Sequence, residues 1–339
     1  MSAAVDCVVG WDIGGAHLKA VALDATRCLR ACEILPCPLW QGMPQLERAF
    51  AAALAALPAT PRAHALTMTG EGCDLFADRA QGVARILEAA SRALAPQDWR
   101  VYADDAGLVS HAPPARIASM NWHATGRALA AALPDALLVD VGTTTTDVIL
   151  VRDGAVRTIG RDDRERLARD ELVYQGVART PVMALAQRVP YRGAWQGMAA
   201  EYFATTADIY RLLGELPARA DLMPSADGRP KTARDSAARL ARMVGDDLDA
   251  ADEAAILELA AWLRGAQLAR LRAAALRIGA ESPVRLVVGA GVGRFLVREL
   301  AASLDLTYRD YAEALGIAEA EIANDCAPAL ALACLGLAA

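Results

Sequence analysis

Two stretches carry the residues best suited to chemistry: WDIGGAHLKAVAL, starting at Trp11, and VDVGTTTTDVILV, starting at Val139. They align without gaps at an offset of 128, placing Asp12 on Asp140, Gly14 on Gly142 and Lys19 on Asp147. Each reads as an apolar strand, Asp-x-Gly, a short polar turn and a second apolar strand. Glycine after the aspartate lets backbone approach a ligand closely, and successive turn N–H groups aimed into one concavity suit a phosphate. The candidate cradle residues are Gly14, Gly15, Ala16 and His17 in the first turn, and Gly142, Thr143, Thr144, Thr145 and Thr146 in the second. Threonine hydroxyls add donors without adding charge. Asp12 and Asp140, at strand ends, are the metal candidates: a carboxylate there can hold Mg²⁺ directly or through water, and the metal neutralises phosphate oxygens. Lys19 is a candidate phosphate-binding point charge, with Asp147 its anionic counterpart. The plainer alternatives are aspartates bonded to their own turns and a salt bridge on a strand face.

Other candidates are scattered. VVGAGVGRF (287–295) follows a strand and opens a helix, which makes Gly289 and Gly291 a third glycine site. Glu71 and Asp74 lie in a polar loop after a strand and could serve as a base or hold an amine; His17 could be a base or donor. His123, beside Trp122, reads as a packed histidine. Asp208 and Tyr210 interrupt the apolar stripe of residues 201–213, as core or as pocket lining. Arg161 and Arg179 are cations that the pattern does not place.

These residues need a scaffold, and the chain supplies one. With 339 residues, 55% hydrophobic and 22% charged, it is long for one core and predicts two α/β domains. Strands flank a tight turn over residues 5–23, helices are predicted over 44–57, 78–94 and 121–133, and a strand-turn-strand covers 137–151. Residues 160–280 read as mostly helical, interrupted by a polar segment at 217–235 that is a mobile loop or a lid. An Ala/Leu-rich helix ends the chain. The expected boundaries are 1–135, joined by the helix at 325–339, and 136–324, with the helical insertion at about 160–280. A net charge of −6 argues against a nucleic-acid surface. No apolar run approaches a membrane span and the N-terminus lacks a secretory pattern. Seven cysteines, at 7, 28, 32, 37, 73, 326 and 334, lack metal-site spacing and are expected as free thiols of a cytoplasmic protein.

In their order, two phosphate hairpins and then strand-glycine-helix resemble the acetate and sugar kinase, heat-shock ATPase and actin superfamily, over the whole chain. The resemblance implies two ribonuclease-H-like domains flanking a cleft, with phosphates held by the hairpins and an adenosine near the third glycine site. DVGTTTTDVILV is most similar to the hairpin of hydantoinase and oxoprolinase relatives. Five further stretches, at 67–83, 119–129, 171–182, 201–214 and 226–245, resemble the tetrahydromethanopterin-linked one-carbon pathway proteins, whose archaeal members are methanofuran-biosynthetic synthases. That resemblance implies a transferase joining an aminomethyl-furanmethyl diphosphate to the phenol of tyrosine or a (glutamyl)tyramine, releasing diphosphate with Mg²⁺; bacterial members would make methylofuran. Under it, Asp12, Asp140, Lys19, Asp147 and Glu71 are the expected catalytic set. The two turns, with Gly289 and Gly291, bind diphosphate, and Asp74, Asp208 and Tyr210 line the substrate pocket. The partners are small molecules, with a homodimer left open. The superfamily alone would instead imply an ATP-dependent kinase or hydantoinase-type ATPase, or a nucleotide-binding protein without turnover.

Overall fold

The computed structural model describes residues 6–57, 61–248, 253–280, 283–318 and 320–339. Residues 1–5 and 249–252, part of the N-terminal reading and of the helical insertion read from the sequence, lie outside the described residues. The chain forms two compact units, one of residues 1–138, 149–163 and 309–339, the other of 139–148 and 164–308.

The first part of the chain gives strands β1 (Cys7–Ile13), β2 (His17–Asp24) and β3 (Leu29–Pro36), helix α1 (Pro44–Ala56), β4 (Ala63–Met68), α2 (Arg79–Leu94), β5 (Asp98–Ala103), β6 (Gly107–Val109) and α3 (Asn121–Ala132). Their sheet runs β3-β2-β1-β4-β5-β6. β1 is antiparallel to β2 and parallel to β4. Every residue of β1 is buried, as a central strand with both faces covered should be. Trp11, Val9 and Ile13 join Phe50 and Leu46 of α1 and Val83 and Ile86 of α2 in one core. Trp11 is fixed there by Phe50, 5.2 Å between ring centroids, and by a hydrogen bond from its Nε1 to His64 Nδ1 at 3.1 Å.

The chain continues through β7 (Ala136–Val141), β8 (Thr146–Arg152), β9 (Ala155–Val156), α4 (Asp163–Arg169), β10 (Leu172–Val173), β11 (Arg188–Tyr191), β12 (Ala194–Gly197), α5 (Thr206–Leu212), α6 (Ala233–Met243), α7 (Glu253–Gly279), β13 (Leu286–Ala290), α8 (Arg294–Ser303), β14 (Thr307–Asp310), α9 (Tyr311–Ala314) and α10 (Ala327–Leu337). The second sheet runs β10-β8-β7-β13-β14, with β9 on β8. Read from the edge, both sheets follow the order third, second, first, fourth, fifth strand of their own series, so the duplication seen in the hairpins extends to whole sheets. The chain is mixed α/β, as expected.

The region read as mostly helical also holds the β11–β12 hairpin, packed with α5, α6 and α7 around Val189, Ile209, Leu240 and Leu259. α10 is apolar nearly all round and correspondingly buried, in the first unit. No helix among the described residues is long and apolar enough to cross a membrane.

Candidate functional site

In the first unit, β1 ends at Ile13 and β2 begins at His17, with Gly14 N donating to His17 O at 2.9 Å. Asp12 lies directly across from Lys19 on β2 and Thr67 on β4, so the three side chains leave the same face of the sheet. Asp12, His17 and Thr67 are buried; Lys19, Gly14 and Gly15 are half-buried. The segment after β3 straps the tip from one side, through Cys37 N to Ala16 O at 2.8 Å and Leu39 N to Gly15 O at 3.0 Å. On the other side Thr69 N donates to Ile13 O at 3.0 Å, and Gly70 rests on Gly14.

One residue further stands Glu71, 1% exposed. Its Oε1 accepts from Ser119 Oγ at 2.7 Å, and Ser119 Oγ in turn accepts from Arg79 Nη1 at 3.1 Å. Glu71 Oε2 is buried without a hydrogen-bond partner among the described residues, a cost of about 1–3 kcal/mol. Burial pushes the Glu71 carboxyl above its ordinary 4.5, against the opposing pull of Ser119 and Arg79. Ser119 itself holds a left-handed backbone, φ 53°, a conformation uncommon for serine and concentrated at functional sites. Sequence pointed to Glu71 but missed Ser119, 48 residues away; the SMN before α3 is the available trace. Asp74 is exposed on the same loop.

In the second unit the equivalent tip repeats these bonds at equivalent positions. Gly142 N donates to Thr145 O at 2.8 Å, and Gly293 N to Val141 O at 2.8 Å. The segment after β10 is the strap: Ala178 N and Arg179 N both donate to Thr143 O, at 3.1 and 2.8 Å. Gly176 sits so close to the Thr143–Thr144 peptide that a β-carbon there would meet it at 2.4 Å. Its carbonyl accepts from Thr206 Oγ1 at 2.9 Å, Gln267 Nε2 at 3.1 Å and Thr180 Oγ1 at 3.3 Å. The threonine tip therefore rests on a strap held from three sides. Thr143 and Thr144 remain half-exposed, their hydroxyls 3.4 Å apart, and Arg179 Nη1 donates to Thr144 Oγ1 at 3.3 Å. Asp140, half-buried and next to last in β7, stands beside Gly291, where a β-carbon would come within 2.4 Å of its Oδ1. Gly291 is at φ +79°, so both space and backbone call for glycine.

Several expected site residues have other work. Thr146 is fully buried and donates its hydroxyl to Gln175 O at 2.7 Å, which leaves Thr143, Thr144 and Thr145, all half-exposed, as the open threonines of the tip. Gly289 lies inside β13 and makes room for the Tyr308 ring, a packing role and not a phosphate contact. Asp147 pairs with the buried guanidinium of Arg166 at 2.9 Å, and the same Nη2 donates to Glu171 O at 3.0 Å.

Asp208 and Tyr210, expected to line a pocket, are buried in the core of the second unit. Asp208 closes the capping box of α5 and pairs with Arg239 at 2.7 Å; a fully buried Arg needs such a partner. Tyr210 donates to Gln267 Oε1 at 2.6 Å, and burial raises its phenol. Since Gln267 holds Gly176 O, Tyr210 supports the threonine strap from behind. The polar segment 217–235 is tied down: Lys231 pairs with Asp221 at 3.2 Å and Arg239 with Asp227 at 3.1 Å. His123 is packed, as read, with its Nδ1 2.8 Å from the Tyr102 hydroxyl, and burial lowers its pKa. Arg161 pairs with Asp105 at 3.1 Å, both exposed. Among the described residues no three His, Cys, Asp or Glu side chains are grouped as a metal cage.

A relative from Methanocaldococcus jannaschii, named (4-{4-[2-(gamma-L-glutamylamino)ethyl]phenoxymethyl}furan-2-yl)methanamine synthase, is 28% identical over 299 residues, covering 86% of this chain and 88% of the relative. A protein of the same name from Methanococcus vannielii is 35% identical over 119 residues, 34% of this chain and 53% of that protein. Among solved structures, nucleotide-free acetone carboxylase superposes with TM-score 0.53 at 12% identity, covering 98% of this chain and 70% of that chain, a likeness of fold. The model of the hydantoinase/oxoprolinase family matches residues 62–326, which span β4, the Glu71 loop, the threonine tip and the third glycine site, and the chain belongs to that family.

Proposed function

We propose that the chain is a transferase of methanofuran-type cofactor synthesis, joining an aminomethyl-furanmethyl diphosphate to the phenol oxygen of tyrosine or a (glutamyl)tyramine. The observation that carries the reading is the similarity to the Methanocaldococcus synthase over nearly the full length of both chains, whose name describes a phenoxymethyl-furan amine. In the reaction the bond between the furanmethyl carbon and diphosphate oxygen breaks, the phenol oxygen bonds to that carbon, and the phenolic proton is lost. The furan oxygen delocalises positive charge, so the transition state is dissociative and the largest demand is to stabilise the departing diphosphate. Within the second unit Thr143 and Thr144 offer phosphate oxygens hydroxyls, and within the first Lys19 is a candidate phosphate-binding charge. Glu71, its pKa raised by burial, is the proton acceptor, with Ser119 orienting it.

Mg²⁺ fits the donors present. It takes one or two carboxylates and otherwise waters and phosphate oxygens, and the carboxylates that would hold it are Asp12, buried in the first unit, and Asp140, half-buried in the second. When bound it neutralises diphosphate charge. The test is to supply Mg²⁺, the furan diphosphate and tyrosine, tyramine or γ-glutamyltyramine, and to measure diphosphate release with the ether product by mass. Release is expected only with both substrates and independent of ATP. ATP turnover with a small hydroxyl or amide substrate, and no ether, would sink the reading in favour of a kinase or hydantoinase-type ATPase.

A further inference from the structure

We infer that Arg79 is a positioning residue for Glu71: by donating to the Ser119 hydroxyl it fixes which carboxylate oxygen is held and which, Oε2, takes up a proton. The source of that proton, the substrate phenol, rests on the proposed reaction. The relay itself rests on the first unit alone, to which Glu71, Arg79, Ser119 and Asp163 all belong.

The direction of the relay follows from what each group can do. A guanidinium only donates, and a serine hydroxyl has one proton to give. Ser119 Oγ accepts from Arg79 Nη1 at 3.1 Å, so its own proton goes to Glu71 Oε1, 2.7 Å away. Oε1 is thereby an acceptor whether Glu71 is ionised or neutral. A proton taken up by the carboxylate settles on Oε2, the oxygen buried without a hydrogen-bond partner among the described residues. Without Arg79 the hydroxyl can turn and accept instead, and the two oxygens lose their separate tasks.

The fold seats each member. Arg79 opens α2, whose N-cap Asp78 accepts from Gln81 N at 2.8 Å. Gly82, in the same first turn, lies so close to Glu71 that a β-carbon would stand 2.5 Å from its carbonyl oxygen, so the start of α2 is pressed onto the Glu71 loop. Arg79 is exposed, and Asp163, paired with its Nη2, occupies one prong of the guanidinium while Nη1 serves Ser119. A planar fork suits two such partners, which a lysine ammonium does not match. Arg79 Nη1 also stands 3.9 Å from Glu71 Oε1. Burial pushes the Glu71 carboxyl up most strongly; the Ser119 bond and the Arg79 charge draw it down, and Asp163 pushes it up. Asp162 is the further acid that faces Arg79.

The experiment places Arg79→Met, Arg79→Lys and Ser119→Gly in the full chain, each with Glu71 and with Glu71→Gln. Glycine at 119 accepts the left-handed backbone and removes only the hydroxyl. Melting temperatures across about pH 4 to pH 8 then give the gap between each Glu71 protein and its Glu71→Gln counterpart, which reads the Glu71 titration without any substrate. Loss of the cation or of the hydroxyl leaves the carboxylate more costly, so the gap should widen in Arg79→Met and Ser119→Gly and partly close again in Arg79→Lys. In ether formation, Arg79→Met should lower kcat about 10-fold, part of the roughly 10²–10⁴-fold that a positioned base contributes, with KM within about threefold and the acidic limb of the pH profile moved to higher pH. A gap and pH limb unchanged in Arg79→Met overturn the proposal. So does a shift in Ser119→Gly alone, which would leave Glu71 held by serine without the arginine, or in Arg79→Met alone, which would make the arginine act by charge without the relay. A wild type that makes no ether removes the proposed reaction, and the melting gaps still decide the relay.

Discussion

The two hairpins share a backbone and differ in where they carry charge. Gly14 and Gly142 close the same turn bond, Ile13 O and Val141 O accept from the glycine-containing loop after the fourth strand, and Gly15 O and Thr143 O accept from the strap after the third. Because these bonds match position for position, Leu39 and Arg179 are structural equivalents, each donating its N–H to the same turn carbonyl. Leu39 is fully buried, whereas Arg179 is half-buried beside a hydroxyl. Lys19 and Asp147 are equivalents too. The first hairpin thus has its cation in the strand and an apolar strap; the second has an acid in the strand, cancelled by Arg166, and its cation in the strap. Duplication preserved the hydrogen-bonded cradle and let each copy divide its charges differently, as expected when the backbone does the shaping and side chains tune the ligand.

The largest effect should come from the carboxylate both copies retained. Asp140→Ala is expected to lower turnover about 10²-fold or more, the scale for losing one group that stabilises charge in the transition state, while the melting curve stays near wild type. Measured alongside it, Asp12→Ala ranks the two copies. Near-normal diphosphate release by Asp140→Ala would remove that residue from the mechanism.

Next comes the acid that the second copy neutralises. Arg166→Ala removes the buried guanidinium that pairs with Asp147 at 2.9 Å, and should cost about 3–5 kcal/mol in urea unfolding. Replacing both partners, as Arg166→Met with Asp147→Leu, should recover most of the stability and keep turnover, since the pair is structural in this account. A double variant that folds but no longer releases diphosphate would restore Asp147 to the catalytic set. Lys19→Ala, by contrast, should weaken diphosphate binding about 10-fold, or about 1.4 kcal/mol, with little change in stability. Unchanged affinity by calorimetry would return Lys19 to a strand-face ion pair.

The comparison also explains what could be read in the sequence. Asp-x-Gly followed by an apolar strand is a local pattern, so both tips, and their offset, were legible. So were the helices at Pro44–Ala56, Arg79–Leu94 and Asn121–Ala132, each within about two residues. The straps were not, because β10 is only two residues long and Gly176–Thr180 is shaped by donors from α5 and α7, remote in sequence. Asp208 drew attention as an acid in an apolar stripe, and its partner Arg239 lies 31 residues on; without that pairing an internal acid looks like a ligand. Ser119 was missed for the same reason. A hydroxyl becomes notable only when the fold brings a buried carboxylate to 2.7 Å from it.

Glu71 offers the subtlest test, since nothing in the second unit was read as its equivalent. A carboxyl held above its unfolded value binds its proton more tightly in the folded state. The stability it contributes is therefore complete below the unfolded pKa near 4.5 and declines as pH rises through the folded value. Glu71→Gln keeps an oxygen for Ser119 but cannot ionise, so the variant should lack this decline. Asp104, Asp170 and Asp227 are held below their ordinary range with help from arginine partners and lose stability in the opposite direction, toward acid, but they are common to both proteins and cancel in the difference. Melting temperatures of wild type and Glu71→Gln, taken from about pH 4 to pH 8, should diverge above pH 4.5 in favour of the variant. Parallel curves would show that Oε2 meets no penalty when charged. If Glu71 is also the proton acceptor, the stabilised variant should be the slower catalyst, because the same burial that makes the carboxylate costly to the fold makes it willing to take the phenol's proton.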